Sequence, residues 1–212
     1  PEMIQTNTYT QYCFARNPRC TLSHVTEQFL PEDIFTSLLE DYCSRHKDAN
    51  PAKIKNVYKL SSTILNSMKI RLLLDEDGMH DFALTGMVDF LGEKIYLAPA
   101  QRMRCLEYAR TFPENNPNLE YRILHGRRSL TQLGMSFPTI YLSDSICYIR
   151  INQSGPSFNI SLLNQKKLEN MFCQSFDELW ASPRYVDASY HAAVEMIRYL
   201  VQMVQVQILS EQ

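Results

Sequence analysis

Glycine is scarce in this chain, with only 6 in 212 residues. Tight turns and left-handed backbone positions rely on glycine. So few of them argues against a sandwich or barrel built from many short hairpins. The phosphate-cradling glycine motifs are missing too: there is no G-x-G-x-x-G and no Walker-type loop. No G-x-S-x-G elbow is present to expose a serine nucleophile. No run of 18 apolar residues occurs, so no segment reads as a membrane-spanning helix, and no signal-peptide pattern opens the chain. Charge of one sign is not in excess either. The net charge of −2 creates no basic field to draw the chain to nucleic acid or to a membrane. Internal repeats and low-complexity tracts are absent.

Hydrophobic residues make up 45% of the chain and charged ones 21%, the balance of a globular protein with a real core. Six cysteines are present (Cys13, Cys20, Cys43, Cys105, Cys147 and Cys173), none in a C-x-x-C pair. Their settings are read as apolar or helical, as in Tyr12-Cys13-Phe14 and Ile146-Cys147-Tyr148. Scattered cysteines in such settings read as buried thiols in a reducing compartment, so a cytoplasmic location is expected. The chain starts Pro1-Glu2-Met3, which is read as processing or as a fragment of a longer protein.

Residues 1–30 show no clear period and are read as a linker or irregular lead-in. Residues 31–212 are read as a single α/β sensing and dimerisation domain. Pro31, Glu32 and Asp33 suit a helix start, and Ile34, Leu38, Leu39 and Tyr42 follow at helical spacing. A second helix is expected from about Ala52 to Met68. The apolar run Lys69 to Asp75 reads as a strand, followed by a helix from about Met79 to Leu91 with Gly92 as its cap. Lys94 to Leu97 reads as a short extended piece. Pro99 opens a fourth helix, which Pro113 and the polar residues after it close. Leu119 to Leu124 is a second strand. Three β-rich runs then form a meander: Thr139 to Leu142, Ser145 to Ile151 and Phe158 to Leu163. Helices from about Gln165 to Trp180 and from Asp187 to Leu209 complete the chain. The expected fold is one mixed sheet of about five strands with helices packed on it, an N-terminal helical pair and a long C-terminal helix.

No catalytic constellation emerges, so no enzyme activity, metal or cofactor is expected. Cys43 and His46 lie three apart on one helix, but zinc needs further paired ligands and none is near in sequence. Two loops are better candidates for ligand binding. Asp75, Asp77 and His80 follow the first strand, where open α/β sheets bind ligands. The other reading of this cluster is an acidic helix start favoured by the helix dipole. His125, Arg127 and Arg128 follow the second strand, and two arginines beside Gly126 can grip a phosphate or carboxylate. The other reading is a solvated basic loop. If the two strands are adjacent and parallel, both loops share one sheet edge.

The last helix is apolar almost all round, broken by Glu195, Arg198, Gln202, Gln205 and Gln207. Such a helix is buried on most faces. A partner subunit is one way to cover it, which places Met196, Leu200, Met203 and Val204 at a homodimer interface. A central core helix of one domain is the other.

The order of elements from Lys69 to Trp180 resembles the phospholipase D-like sensor domains of bacterial transcription regulators. The likeness lies in the strand ending Leu74-Asp75, two helices, the strand Leu119 to Leu124, the run Ile140-Tyr141-Leu142-Ser143-Asp144 and the helix ending Phe176-Asp177-Glu178-Leu179-Trp180. The family's catalytic signature places a Lys two residues after a His and an Asp five beyond the Lys. Here His125 is followed at that spacing by Arg127 and then Gln132. The resemblance therefore implies a domain that binds a small-molecule or peptide effector without hydrolysing it. It also implies DNA contact only through a helix-turn-helix domain not evident in residues 1–212. The alternative is a diverged phosphodiesterase or nuclease of the same fold.

Overall fold

The structure is a computed structural model that describes residues 19–22, 25–26, 30–67, 70–125, 139–142, 146–151, 158–163 and 166–210. In chain order the elements are β1 (Arg19–Leu22), β2 (Val25–Thr26), α1 (Glu32–Arg45), α2 (Pro51–Ser67), β3 (Ile70–Asp75), α3 (Glu76–Thr85), β4 (Met87–Phe90) and β5 (Glu93–Tyr96). There follow α4 (Pro99–Asn115), β6 (Leu119–Leu124), β7 (Thr139–Leu142), β8 (Ile146–Ile151), β9 (Phe158–Leu163), α5 (Lys166–Trp180), β10 (Val186–Asp187) and α6 (Tyr190–Ser210).

The fold is α/β. Among the described residues the main sheet is mixed and has seven strands in the order β10-β6-β3-β1-β7-β8-β9. Its centre is parallel: β1 pairs with β3, and β3 with β6. Its two flanks are antiparallel, β10 on β6 at one end and β1-β7-β8-β9 at the other. A second sheet of three short strands, β2-β4-β5, stands apart.

The main sheet therefore has two more strands than the five expected, and both came from segments read otherwise. Arg19–Leu22 lies in what was read as lead-in, yet it pairs with two strands in the middle of the sheet. The last helix was expected from about Asp187, yet Val186–Asp187 pairs with Leu124 and Ile123. That helix begins instead at Tyr190, where the Ser189 hydroxyl accepts from Ala192 N at 3.3 Å as an N-cap.

The expected helix from Met79 to Leu91 is also shorter than read. Gly86 adopts φ 71° and caps α3, its N–H donating to Phe82 O at 2.7 Å. The apolar run Met87–Phe90 then becomes a strand, paired in a hairpin with Glu93–Tyr96. Leu91 and Gly92, both at positive φ, form the two-residue turn. A short apolar run fits a helix and a strand equally well, so periodicity alone could not separate them. The fourth helix likewise runs through Pro113 to Asn115.

One face of the sheet carries the main core. Leu72, Leu74 and Leu119 pack there with Phe35 and Leu39 of α1, Phe82 of α3, Leu106 of α4 and Ile197 and Leu200 of α6. Phe35 stacks on Tyr58 of α2 with centroids 3.8 Å apart, and the Tyr58 hydroxyl donates to Leu30 O at 2.8 Å. On the other face, the strand pleat brings Arg71 and Arg122 out beside buried Leu73. There they meet α5: Arg71 pairs with Asp177 at 2.7 Å and lies over the Phe176 and Trp180 rings. Helices on both faces of a parallel centre form a three-layer arrangement.

The last helix is the central core helix of its own chain. Ala193, Ile197, Leu200, Val201 and Val204 are buried against α3, α4 and β6. This corrects the expected interface: Leu200 and Val204 are 0% and 1% exposed inside one chain, so neither can lie on a two-fold axis. Met196 and Met203 sit half-buried on the flank of that face.

Candidate functional site

The parallel pair β3 and β6 ends in register, Asp75 opposite Leu124. The residues that follow each strand therefore emerge side by side at the carboxyl edge of the sheet, where α/β sheets bind ligands. Here the two candidate loops do meet. His125 Nδ1 lies 2.7 Å from Glu76 Oε2, across 49 positions of sequence. The backbone N–H of His125 donates to Tyr185 O at 2.7 Å, which extends the β6–β10 ladder by one step and holds the imidazole at its end.

The other residues named from sequence are distributed differently. Asp75 is buried, and its Oδ2 accepts from Gly78 N at 3.1 Å, so it caps α3. The acidic-helix-start reading thus accounts for Asp75. Asp77 sits in the first turn of α3, half-exposed. His80 lies near Tyr199 of α6, with ring centroids 5.9 Å apart, and so faces the C-terminal helix. Arg127 and Arg128 lie outside the described residues.

A cleft of about 410 Å³ opens beside His125, between β6 and the turn that joins α5 to β10. Its polar walls are Arg122, His125, Ser182 and Asp187, and its apolar walls include Trp180 and Pro183. Small-molecule sites typically begin at about 300 Å³ and combine apolar walls with a few placed polar groups. Arg122 is the most strongly oriented of these groups. Its Nη1 donates to Trp180 O at 2.6 Å, and its guanidinium lies 4.3 Å from the Trp180 ring centroid. Cation–π contact and a backbone bond together hold the guanidinium fixed. Asp187 Oδ1 accepts from Ser189 N at 2.8 Å, which anchors Asp187 to the start of α6.

Arg122, Trp180, Ser182 and Asp187 were not singled out from sequence. Arg122 alternates with apolar residues in Leu119 to Leu124 and reads there as an ordinary strand arginine. Only the return of the chain through Val186–Asp187 onto β6 closes the cleft, and a two-residue strand carries no sequence signal.

Among the described residues, no three His, Cys, Asp or Glu side chains gather into a metal-binding group. Cys43 and His46 do not converge on one. His46 stacks on Tyr42, and its Nε2 lies 2.6 Å from Glu93 Oε1. Glu93 also accepts from Arg45 Nη1 at 2.6 Å, tying the end of α1 to β5. Burial works against the Glu93 charge, but the hydrogen bonds from Arg45 and His46 outweigh it and hold the carboxyl below its usual range. Among the described residues, no helix is long and apolar enough to cross a membrane. No family model matches the chain, and no curated protein matches it.

Proposed function

We propose that this chain is an effector-sensing and dimerising domain rather than an enzyme. The observation that carries the reading is the cleft at the carboxyl edge of the parallel strands, with a fixed guanidinium and an imidazole on its walls. A fixed guanidinium suits recognition of a small anionic group.

A route from ligand to output follows from α3. Its first residue, Glu76, holds His125 at the cleft, and His80 one turn on faces Tyr199 of α6. A ligand that competes for His125 would favour a different position of α3, and so of α6. Dimerisation would use the outward face of α6, where Tyr199 and Val206 are 54% and 67% exposed and Met203 lies between them. In the regulators that the chain resembles, the output would pass to an attached DNA-binding domain. A cytoplasmic location is part of the same proposal and rests on the apolar settings of the cysteines.

Thermal denaturation against a panel of carboxylates, phosphates and short peptides tests the reading. At least one compound should raise the midpoint in proportion to occupancy, and His125→Gln and Arg122→Lys should weaken that effect. A panel without any stabilising compound would reject the sensor. So would turnover of a phosphodiester that His125→Ala abolishes, which would establish the hydrolase instead.

A further inference from the structure

Two charges on the cleft wall are not matched by each other. Among the described residues Arg122 has no carboxylate within ion-pair distance, and Asp187 has no cationic side chain within that distance. The pleat explains why they do not pair. Asp187 lies opposite Ile123, one position from Arg122, so the two side chains leave opposite faces of the ladder, and both residues line the cleft. The imidazole of His125 is already engaged by Glu76. The cleft lining thus includes one positive group and one negative group, together with Trp180 and Pro183.

We infer that the cleft takes a zwitterion of the α-amino-acid class, its carboxylate on Arg122 and its ammonium on Asp187. Charge matching favours this over the simple anion that Arg122 alone would suggest. A phosphate dianion would leave its second charge facing Asp187, and like charges brought together oppose binding. A plain carboxylate would leave Asp187 unmatched at the same moment that the ligand excludes water from it. A zwitterion satisfies both groups. Arg122 is held by Trp180 before any ligand arrives, and Asp187 is held by Ser189, so little ordering is required on binding. The size of the cleft suits a free amino acid better than a folded partner. This inference rests on the proposal that the cleft is a ligand site, and it specifies the ligand class.

The test uses the chain's single tryptophan, which is Trp180 itself. Its emission reports on the cleft wall without any label. The probes are each standard amino acid other than tryptophan, propionate, isopropylamine and inorganic phosphate, each titrated into the full chain. At least one amino acid should change the emission saturably. Its deaminated analogue should bind at least about tenfold more weakly, as expected when a hydrogen bond to a charged group is lost. Asp187→Asn keeps an oxygen for Ser189 N and should erase most of that difference, leaving affinity for the deaminated acid within about twofold. Equal binding of the amino acid and its deaminated analogue would overturn the inference while leaving an anion site in place. Preferential binding of phosphate would do the same. A Trp180 signal that no probe changes would overturn the inference together with the choice of this cleft as a ligand site.

Discussion

His125 and Glu76, 49 positions apart, meet at 2.7 Å because β3 and β6 are parallel neighbours that end in register. Each side chain follows directly on the strand or its cap, so the contact needs no loop rearrangement. Both are partly open to solvent, 42% and 35% exposed, so water screens the pair. A double-mutant cycle of Glu76→Gln and His125→Gln should therefore give a coupling energy below about 1 kcal/mol. Urea denaturation of the four variants measures it. A larger coupling would mean that the pair is a structural clamp and not an element that a ligand can displace.

Leu200 and Val204 should behave as core residues. Leu200→Ala should cost about 2–5 kcal/mol of unfolding free energy, with the cavity adding to lost transfer energy. Leu200→Glu should prevent folding, since a carboxylate there has no water and no partner. Tyr199→Glu with Val206→Glu, on the outward face, should leave the fold intact and shift any dimer toward monomer in sedimentation. Soluble monomeric Leu200→Glu protein would contradict the burial.

Gly86 and Arg102 form one coupled unit. A Cβ on Gly86 would stand 2.7 Å from Arg102 Nε and inside contact distance of the Leu97 carbonyl, at φ 71°. Buried Arg102 donates to the carbonyls of Ala83, Leu84 and Leu97 and to Gln207 of α6, so it closes the end of α3 and ties it to the last helix. Gly86→Ala should destabilise by more than about 1 kcal/mol. Adding Arg102→Ala should be less than additive, because the contacts with Arg102 Nε and Cδ are then removed. Thermal or urea denaturation of the single and double variants decides it.

Cys43 and Cys105 are free thiols, and they should differ sharply in reactivity. Burial pushes the Cys105 thiol up to about 12, since a thiolate there would lose its hydration. At pH 8 almost none of it is ionised, so alkylation of the folded chain should leave Cys105 unmodified while half-exposed Cys43 reacts. Labelling of Cys105 should appear only in denaturant or as the pH approaches about 12. Mass mapping after brief alkylation reads this directly, and rapid labelling of Cys105 at pH 8 would contradict it.

Local patterns were legible where one period dominated. Leu119 to Leu124 alternates and is a strand at those residues, and the three runs of the meander fall where their β-rich composition places them. The helix starts at Glu32 and Pro99 also lie where their acidic and proline signals point. Misreadings cluster where the same local sequence suits two states. Met87–Phe90 joins a hairpin because Gly86 ends the helix before it, and that role depends on Leu97 N donating to Gly86 O at 2.9 Å from the far side of the hairpin.

The amino-acid sequence by itself determined the α/β class, the sites of most helices and strands, and the nearness of the Asp75 and His125 loops to strand ends. These depend on interactions between residues close in the chain, which periodicity and turn chemistry record. Only the tertiary structure decided what those pieces meet. Arg19–Leu22 and Val186–Asp187 become strands because partners far along the chain offer them backbone hydrogen bonds. Leu200 and Val204 belong to the core because α3 and α4 cover them, although an all-round apolar helix would equally suit a subunit interface. The cleft likewise exists only because β10 returns to β6 and brings Asp187 into the same lining as Arg122, whose guanidinium Trp180 holds in place. Such pairings depend on contacts between distant segments, and no local pattern carries them.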